Sequence, residues 1–237
     1  MNVLGLPIKE GYELPFIFTL VILLVKFILI IFLATRIAKQ RKQENAVAIA
    51  FLAGILFLVI TLFISRIFYL IFDFVLTNFD MTTYAYFPNI WYWKTGSILS
   101  SFGIGVLLII IDKKVMQFKF KGLFGIIVFI TSCLQFFWPV NNIDDFTIVS
   151  DIGTIGGLCA FFIPILFFWI GAKTPGLRKT SFSVAFGTII YVVGGAVVGA
   201  TFINIFGLPP YVMYAMSTIL KTIALLMITY GAIHFAT

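Results

Sequence analysis

The sequence predicts an all-α fold, a bundle of seven transmembrane helices that forms one membrane domain over residues 1–237. Composition is the first reason, because the chain is 62% hydrophobic and only 11% charged, whereas about half of a soluble domain is apolar. The second reason is the length of its apolar stretches, which approach or exceed the roughly 20 residues needed to cross about 30 Å of hydrocarbon. The predicted spans are 14–36, 46–76, 94–112, 122–139, 148–171, 180–206 and 209–233.

The charges between the spans alternate in sign from one connection to the next. The basic connections contain Arg36, Lys39, Arg41, Lys42, Lys113, Lys114, Lys119, Lys121, Lys173, Arg178 and Lys179. Short basic loops remain in the cytoplasm, so we predict a multi-pass protein of the cell membrane with its N-terminus outside and its C-terminus inside. The net charge of +7 lies mostly in these loops, where anionic headgroups attract it. The predicted partners are therefore membrane lipids, and no nucleic acid.

Individual spans carry further predictions. Span 1 follows no basic segment and ends in a basic one, so we expect it to persist in the mature protein and not to be a secretory signal. Span 2 is longer than a membrane requires, so it should tilt or extend outward and carry Asp73 toward water. Pro164 should kink span 5 because it lacks a backbone donor. The prolines of the connection 207–210 suit the start of span 7.

The cysteines and the histidine provide few candidates for a disulfide, a metal site or a catalytic group. Cys133 and Cys159 fall inside spans 4 and 5, where they are expected to behave as small buried hydrophobes, so no disulfide framework is predicted. His234 is the single histidine, which leaves too little for a histidine metal cluster or a serine–histidine triad. No catalytic residue, metal or cofactor is predicted, and the protein is not expected to be an enzyme.

The connection between spans 2 and 3, about residues 76–93, has room for substructure and is rich in aromatic residues. These residues are Tyr84, Tyr86, Phe87, Trp91, Tyr92 and Trp93. They predict either an aromatic belt at the membrane interface or a lid over an outer pocket. Phe137 and Trp138, at the outer end of span 4, would join either arrangement.

Two pairs of glycines predict where helices approach closely. Gly153 and Gly157 in span 5 stand four residues apart, as do Gly195 and Gly199 in span 6. Each pair clears one helix face for backbone contact. We therefore expect spans 5 and 6 to pack through these faces.

Three cations lie within the spans, where an ionised group costs at least a few kcal/mol and suggests a functional site. Lys26 is near the middle of span 1, Arg66 is in the outer half of span 2, and Lys221 is near the middle of span 7. Spans 1, 2 and 7 are neighbours in a serpentine bundle. The three side chains are therefore expected to converge on one pocket.

Polar side chains accompany two of these cations. Arg66, Tyr69 and Asp73 share a helix face at i, i+3 and i+7. Arg66 and Asp73 are two turns, roughly 10 Å, apart along an α-helix, which favours a bridging phenol or water over direct contact. Span 7 has a similar stripe, Tyr214, Ser217, Thr218 and Lys221. The predicted ligand-binding residues are Lys26, Arg66, Tyr69, Asp73, Tyr214, Ser217 and Lys221.

Each cation also has a structural interpretation that the sequence leaves open. Lys26 can extend its stem to an interface, Arg66 can bond helix carbonyls, and Lys221 can bond neighbouring hydroxyls. Three cations against one peripheral carboxylate otherwise require a lysine made neutral by desolvation, or an anionic ligand or headgroup.

Three stretches carry a resemblance to known families. They are the segment from Ile64 to Asp73, the segment Tyr92-Trp93-Lys94-Thr95-Gly96, and the segment from Lys173 to Lys179 that leads to Gly187. The chain resembles an uncharacterised family of archaeal seven-helix membrane proteins. More distantly, it is similar to the seven-helix sensor modules of membrane histidine kinases. Because the chain is expected to end just after span 7, this resemblance implies signalling through a separate partner.

The leading functional hypothesis is a receptor-like sensor or scaffold module with a pocket between helices 1, 2 and 7. A small transporter or channel for an anionic or amphipathic solute is the alternative, because the same cations would attract such a solute. The position of Lys221 also resembles that of the retinal-binding lysine of microbial rhodopsins, but residues 98–111 contain no counter-ion carboxylate. Retinal binding and a structural role in a larger complex are therefore lesser alternatives.

Overall fold

The structure, a computed structural model, describes residues 2–3, 6–40, 46–198 and 207–235. A two-residue antiparallel pair, β1 (Asn2–Val3) and β2 (Leu6–Pro7), precedes the helices. The α-helices in the described residues are α1 (Glu13–Gln40), α2 (Ala46–Leu70), α3 (Asn89–Lys114), α4 (Leu123–Phe137), α5 (Ile143–Leu158), α6 (Phe162–Lys173), α7 (Arg178–Ala196) and α8 (Pro210–Phe235). A π-helical segment, Ile71–Leu76, extends α2, and short 3-10 turns lie at Met81–Thr83, Cys159–Phe161 and Pro175–Leu177.

The all-α fold is confirmed, and the helices indicate a multi-pass membrane protein. Among the described residues, five stretches are long and apolar enough to cross a membrane: Glu13–Gln40, Ile49–Leu76, Asn89–Lys114, Ile143–Lys173 and Pro210–Phe235. They correspond to predicted spans 1, 2, 3, 5 and 7. Predicted span 4 corresponds to the shorter apolar helix α4. Predicted span 6 corresponds to α7, and its residues 199–206 lie outside the described part of the chain.

The helix of predicted span 5 is interrupted one turn before Pro164. Helix α5 ends at Leu158, a 3-10 turn follows at Cys159–Phe161, and α6 then continues to Lys173. Pro164 has no N–H to donate to the carbonyl of Ala160, four residues earlier. The tighter turn at this point is the expected local response to that missing donor.

The described residues divide into two compact units. The first contains Lys9–Leu52 and Phe161–Thr237, and the second contains Asn2–Ile8 and Ala53–Ala160. The aromatic rings of Phe51, Phe167 and Phe235 pack together in the first unit, with centroids 5.5–5.6 Å apart. This cluster fixes the start of α2 to α6 and α8.

In the first unit, α7 and α8 form an antiparallel pair that approaches through small residues. A Cβ at Gly187 would lie 3.0 Å from the carbonyl oxygen of Ala224, and one at Gly231 would lie 2.7 Å from that of Thr180. Backbones therefore meet with no side chain between them. The small residues at this contact recur every seven positions: Thr180, Gly187 and Gly194 on α7, and Ser217, Ala224 and Gly231 on α8.

Helix α1 runs parallel to α8 in the same unit. The hydroxyl of Thr218 donates to the carbonyl of Phe18 at 3.3 Å, and further along both helices Arg36 and His234 line one groove. Residue numbers thus rise together along the pair. The C-terminal ends of α1 and α8 and the N-terminal end of α7 therefore lie at one end of the unit.

In the second unit, successive helices from α2 to α5 pack antiparallel. Gly103 of α3 faces Thr61 of α2, and a Cβ at Gly125 of α4 would lie 2.7 Å from the carbonyl oxygen of Gly105 of α3. Gly156 of α5 faces α4 in the same way. The connections therefore alternate between the two ends of this unit.

One buried carboxylate organises the connection between α3 and α4. Asp112 is 3% exposed, and its carboxylate accepts the backbone N–H groups of Phe120 at 3.0 Å and Gly122 at 2.6 Å. These two bonds fold residues 115–122 back over the end of α3. Lys119 and Lys121 of this loop are exposed.

The predicted packing of spans 5 and 6 through paired glycines is not found at the three of these glycines that the structure describes. Gly153 does approach another side chain, but that side chain is Gln135 of α4. Among the described residues, nothing lies within 4 Å of a Cβ position at Gly157 or Gly195. Gly199 lies outside the described residues. The close contact of α7 is made instead by Gly187 and Gly194, because these glycines face α8 and Gly195 is turned away from it.

Candidate functional site

The candidate site in the second unit begins with an ion pair at the end of α2. Nη1 of Arg66 lies 3.8 Å from Oδ2 of Asp73, and the two side chains are 17% and 18% exposed. This distance makes them an ion pair but is longer than a hydrogen bond, so the bridging phenol or water stays a prediction. The backbone is π-helical from Ile71 onward, so its wider turn changes the position of Asp73 relative to an α-helix, and the long arginine side chain covers the remaining distance.

A series of neutral polar groups starts beside this ion pair. The phenol of Tyr69 is close enough to Ser97 and Ser100 on α3, and to the charges of Arg66 and Asp73, for their electrostatic fields to act on it. Helix α3 permits this approach because a Cβ at residue 96, a glycine, would lie 3.3 Å from the tyrosine ring. Tyr69 therefore connects the ion pair with α3.

The series of polar groups continues from α3 through α4 to α5. The hydroxyl of Ser97 donates to Oε1 of Gln135 at 2.7 Å, and Nε2 of Gln135 donates to the carbonyl of Val149 at 3.1 Å. Ser97 has one hydroxyl proton, which is committed to Gln135. A hydrogen bond between Tyr69 and Ser97 must therefore take its proton from the tyrosine.

We call the set Arg66, Asp73, Tyr69, Ser97, Gln135 and the Val149 carbonyl the polar relay. Gln135 is 2% exposed and Ser97 is 8% exposed, so the middle of the relay is buried. Hydrogen bonds between membrane helices are each worth about 0.6–2 kcal/mol. The relay brings together side chains of four consecutive helices, α2 to α5.

The aromatic connection lies at the same end of the second unit as the ion pair. The ring of Tyr84 packs between Phe72 of the π-helical segment and Phe146 of α5, with centroid distances of 4.9 Å and 5.3 Å. In contrast, the side chains of Tyr86 and Phe87 are 61% and 80% exposed. The connection thus has one side packed on α5 and one exposed aromatic side, and the choice between an aromatic belt and a lid stays open.

The remaining predicted site residues lie in the first unit. Lys26 is 3% exposed and Tyr214 is 6% exposed, whereas Lys221 is half-buried with its stem against Gly194. The hydroxyl of Ser217 donates to the carbonyl of Gly194 at 2.5 Å. Ser217 therefore joins α8 to α7, which is a packing role.

Lys26 and Lys221 do not lie at the same height along α1 and α8. The bond between Thr218 and Phe18 sets the register of this parallel pair, so Lys221 is level with residue 21 and Lys26 is five residues further along. Five residues correspond to about 7.5 Å of helix. Each lysine therefore has its own surroundings within the first unit.

Sequence reasoning missed several polar residues that the structure buries. Lys94 is 6% exposed, and its ammonium group donates to the carbonyl of Trp138 at 2.5 Å. This bond places a cation at the C-terminal end of α4, where the helix dipole favours it. Ser97, Asp112 and Gln135 were also missed. A search for neutral polar residues within apolar spans, in addition to charges, would have found Ser97 and Gln135.

Comparison with known proteins yields no match to a family model, a curated protein or a solved structure. The resemblance to archaeal and histidine-kinase seven-helix proteins therefore stays a prediction. Among the described residues, no group of three His, Cys, Asp or Glu side chains could hold a metal ion. The polar relay can bind a charged group through its ion pair, and its hydrogen bonds have a fixed donor-to-acceptor direction.

Proposed function

We propose that this protein is a seven-span membrane sensor of the receptor-like kind, with its N-terminus outside, that signals through a separate partner. The observation that carries the proposal is the polar relay, since it couples a partly exposed ion pair to three further helices. Two sets of observations support the topology on which the proposal depends.

The first set concerns the number of spans. Because α1 and α8 run parallel, an odd number of crossings must lie between them if both cross the membrane. Helices α2 and α3 and the stretch Ile143–Lys173 provide three, so α4 and α7 either both cross or both do not. Each packs antiparallel along a candidate span, α4 on α3 and α7 on α8. Both are therefore aligned to cross beside their partners.

The second set concerns charge within each unit. In the second unit, Lys113, Lys114, Lys119 and Lys121 lie at the end that holds the α3–α4 loop, and Asp80, Asp144 and Asp145 lie at the opposite end. In the first unit, Arg36, Lys39, Lys173, Arg178 and Lys179 share the end formed by the C-termini of α1 and α8. Basic ends favour the cytoplasmic side.

The topology predicts opposite labelling at two exposed positions. In a variant with Cys133 and Cys159 replaced by serine, a cysteine at Thr82 is expected to react with a membrane-impermeant maleimide in sealed cells. A cysteine at Lys119 should react only after the cells are opened. Labelling of the Lys119 position in sealed cells would reverse the orientation.

A ligand can act on the relay by competing for one member of the ion pair. An external carboxylate that binds Arg66 releases Asp73, and the electrostatic environment of Tyr69 then changes. Because Tyr69 lies beside Ser97, and Ser97 and Gln135 pass hydrogen bonds in sequence to the Val149 carbonyl, the new arrangement is expected to reach α5. Such a ligand shifts the equilibrium only if it binds one arrangement more tightly than the other. The π-helical segment, a feature common at functional positions, gives α2 a local element that can rearrange.

The relay predicts that ligand response at α5 depends on Gln135. With the protein in nanodiscs, octanoate serves as the anionic probe and hydrogen–deuterium exchange at residues 143–158 as the readout. Octanoate is expected to change exchange in the wild type and in Thr147→Val, whose exposed hydroxyl bonds only within α5. In Gln135→Leu the change at α5 should be lost while the ion pair is retained.

Equal responses in the wild type and Gln135→Leu would remove the relay from the mechanism. If octanoate causes no response in the wild type, or if the response persists in Arg66→Gln, the ion pair is not the ligand contact. Saturable uptake of a membrane-impermeant sulfonate into proteoliposomes would instead favour the alternative, a transporter for anionic or amphipathic solutes.

A further inference from the structure

A groove between α1 and α8 in the first unit is lined by apolar residues along most of its length and by polar residues at one end. It has a volume of about 560 Å³, and its lining includes Ile28, Phe32, Arg36, Leu226, Thr229 and His234. This volume is within the range of about 300–1,000 Å³ that is typical of ligand sites. The groove lies toward the C-terminal ends of both helices, which form the basic end of this unit.

The side chains of the groove change from apolar to polar toward that end. Ile28 and Leu226 are 55% and 52% exposed and form an apolar wall. Thr229 follows one turn later, and Arg36 and His234 come last. Since Thr229 and His234 are five residues apart, these polar residues are spread over about 7.5 Å of helix.

Thr229 supplies the observation that points to an occupant. Several helical threonines bond back to their own helix, as Thr19 does to the Pro15 carbonyl and Thr188 does to the Val184 carbonyl. Thr229 is 4% exposed, and among the described residues its hydroxyl has no hydrogen-bond partner. A buried hydroxyl without a partner costs about 1–3 kcal/mol, so an acceptor in the groove would be stabilising once rotation about the Cα–Cβ bond turns the hydroxyl toward it.

Arg36 supplies the second observation. Its Nε atom is also buried and has no hydrogen-bond partner among the described residues. A guanidinium group presents five donors and recognises phosphate by paired hydrogen bonds. The ligand must therefore offer an anion at the level of Arg36, an uncharged acceptor at Thr229 and a hydrocarbon chain beyond it.

We propose that this groove binds one anionic phospholipid, with its phosphate at Arg36, an ester oxygen at Thr229 and an acyl chain along Ile28 and Leu226. The order of these groups along the groove matches the order of groups along a glycerophospholipid. Basic residues between helices on the cytoplasmic side are a known form of headgroup site. The proposal requires only that α1 and α8 lie in a bilayer, and it is independent of the sensor proposal.

The test compares two lipids that differ only in headgroup charge. Delipidated protein in detergent is mixed with dioleoylphosphatidylglycerol or dioleoylphosphatidylcholine, and bound lipid is counted by native mass spectrometry. The wild type is expected to retain the phosphatidylglycerol preferentially. Arg36→Gln should lower its retention about five- to tenfold without affecting phosphatidylcholine. Thr229→Val should weaken both lipids, because both carry the ester group.

Lys39→Gln is the matched control, since Lys39 is an exposed cation on the same helix outside the groove. It should leave retention unchanged. Equal retention of the two lipids by the wild type, or equal losses in Lys39→Gln and Arg36→Gln, would overturn the proposal in favour of diffuse attraction. Release of the lipid by millimolar inorganic phosphate would identify an anion site with no need for a lipid. Melting temperatures in detergent alone verify that each variant is folded.

Discussion

Gly187→Ala is expected to destabilise the protein, although alanine favours helix over glycine by up to about 1 kcal/mol. A Cβ at this position would lie 3.0 Å from the carbonyl oxygen of Ala224 and 3.1 Å from the backbone nitrogen of Ile228. Backbone atoms cannot rotate away as a side chain can, so α7 and α8 must separate. Overpacking of this kind typically costs about 1–3 kcal/mol. Denaturant unfolding in detergent, followed by tryptophan fluorescence, measures the loss.

Gly195→Ala is the matched control on the same helix. No described atom lies within 4 Å of its Cβ position, so the free energy of unfolding should stay unchanged or rise slightly through helix propensity. Gly187→Leu should be worse than Gly187→Ala, because a longer side chain meets the same backbone. If the two alanine variants lose stability equally, α7 does not meet α8 through Gly187.

Asp112→Asn is expected to lower the free energy of unfolding by about 1.5–3 kcal/mol, the usual contribution of a hydrogen bond to a charged group. The carboxylate accepts two backbone N–H groups, those of Phe120 and Gly122. An asparagine amide has only one acceptor oxygen, so its NH₂ group would face a backbone donor. The connection between α3 and α4 should then loosen, together with its exposed lysines.

Two measurements separate this local effect from a general loss of charge. Hydrogen exchange at the amides of Phe120 and Gly122 should accelerate in Asp112→Asn before global unfolding. Asp144→Asn removes an exposed carboxylate from the first turn of α5, and its cost should not exceed about 0.3–1 kcal/mol. Unchanged exchange at Phe120 and Gly122 would show that Asp112 does not hold the loop.

The sequence located charged residues in the spans more readily than neutral polar ones. Lys26, Arg66 and Lys221 stand out because ionised groups are costly in hydrocarbon. Gln135 and Ser97 do not stand out, since an amide or a hydroxyl can find a hydrogen-bond partner in many ways within a helix bundle. Their role in the relay depends on which helices are neighbours and at what height, and residue spacing along one helix contains no such information.

The distance between Arg66 and Asp73 illustrates a second limit. The backbones of these residues are roughly 10 Å apart along an ideal α-helix, and the side chains bring their charged atoms to 3.8 Å. A π-helical segment depends on local packing, here around Phe72 and Tyr84, and has no clear sequence signal. The face shared by the two residues was predictable, whereas the close approach of their charges was not.

By itself the sequence determined the helical, membrane-type character of the chain, because long apolar runs can satisfy their backbone in hydrocarbon only as helices or closed barrels. It also determined which connections are basic, and from them a predicted orientation. Only the tertiary structure decided that Gly187 and Gly194 make the close contact in place of Gly195, and that α1 lies parallel to α8 with a groove between them. Small residues permit close approach on any face, so the choice of face depends on the partner helix, its direction and its register.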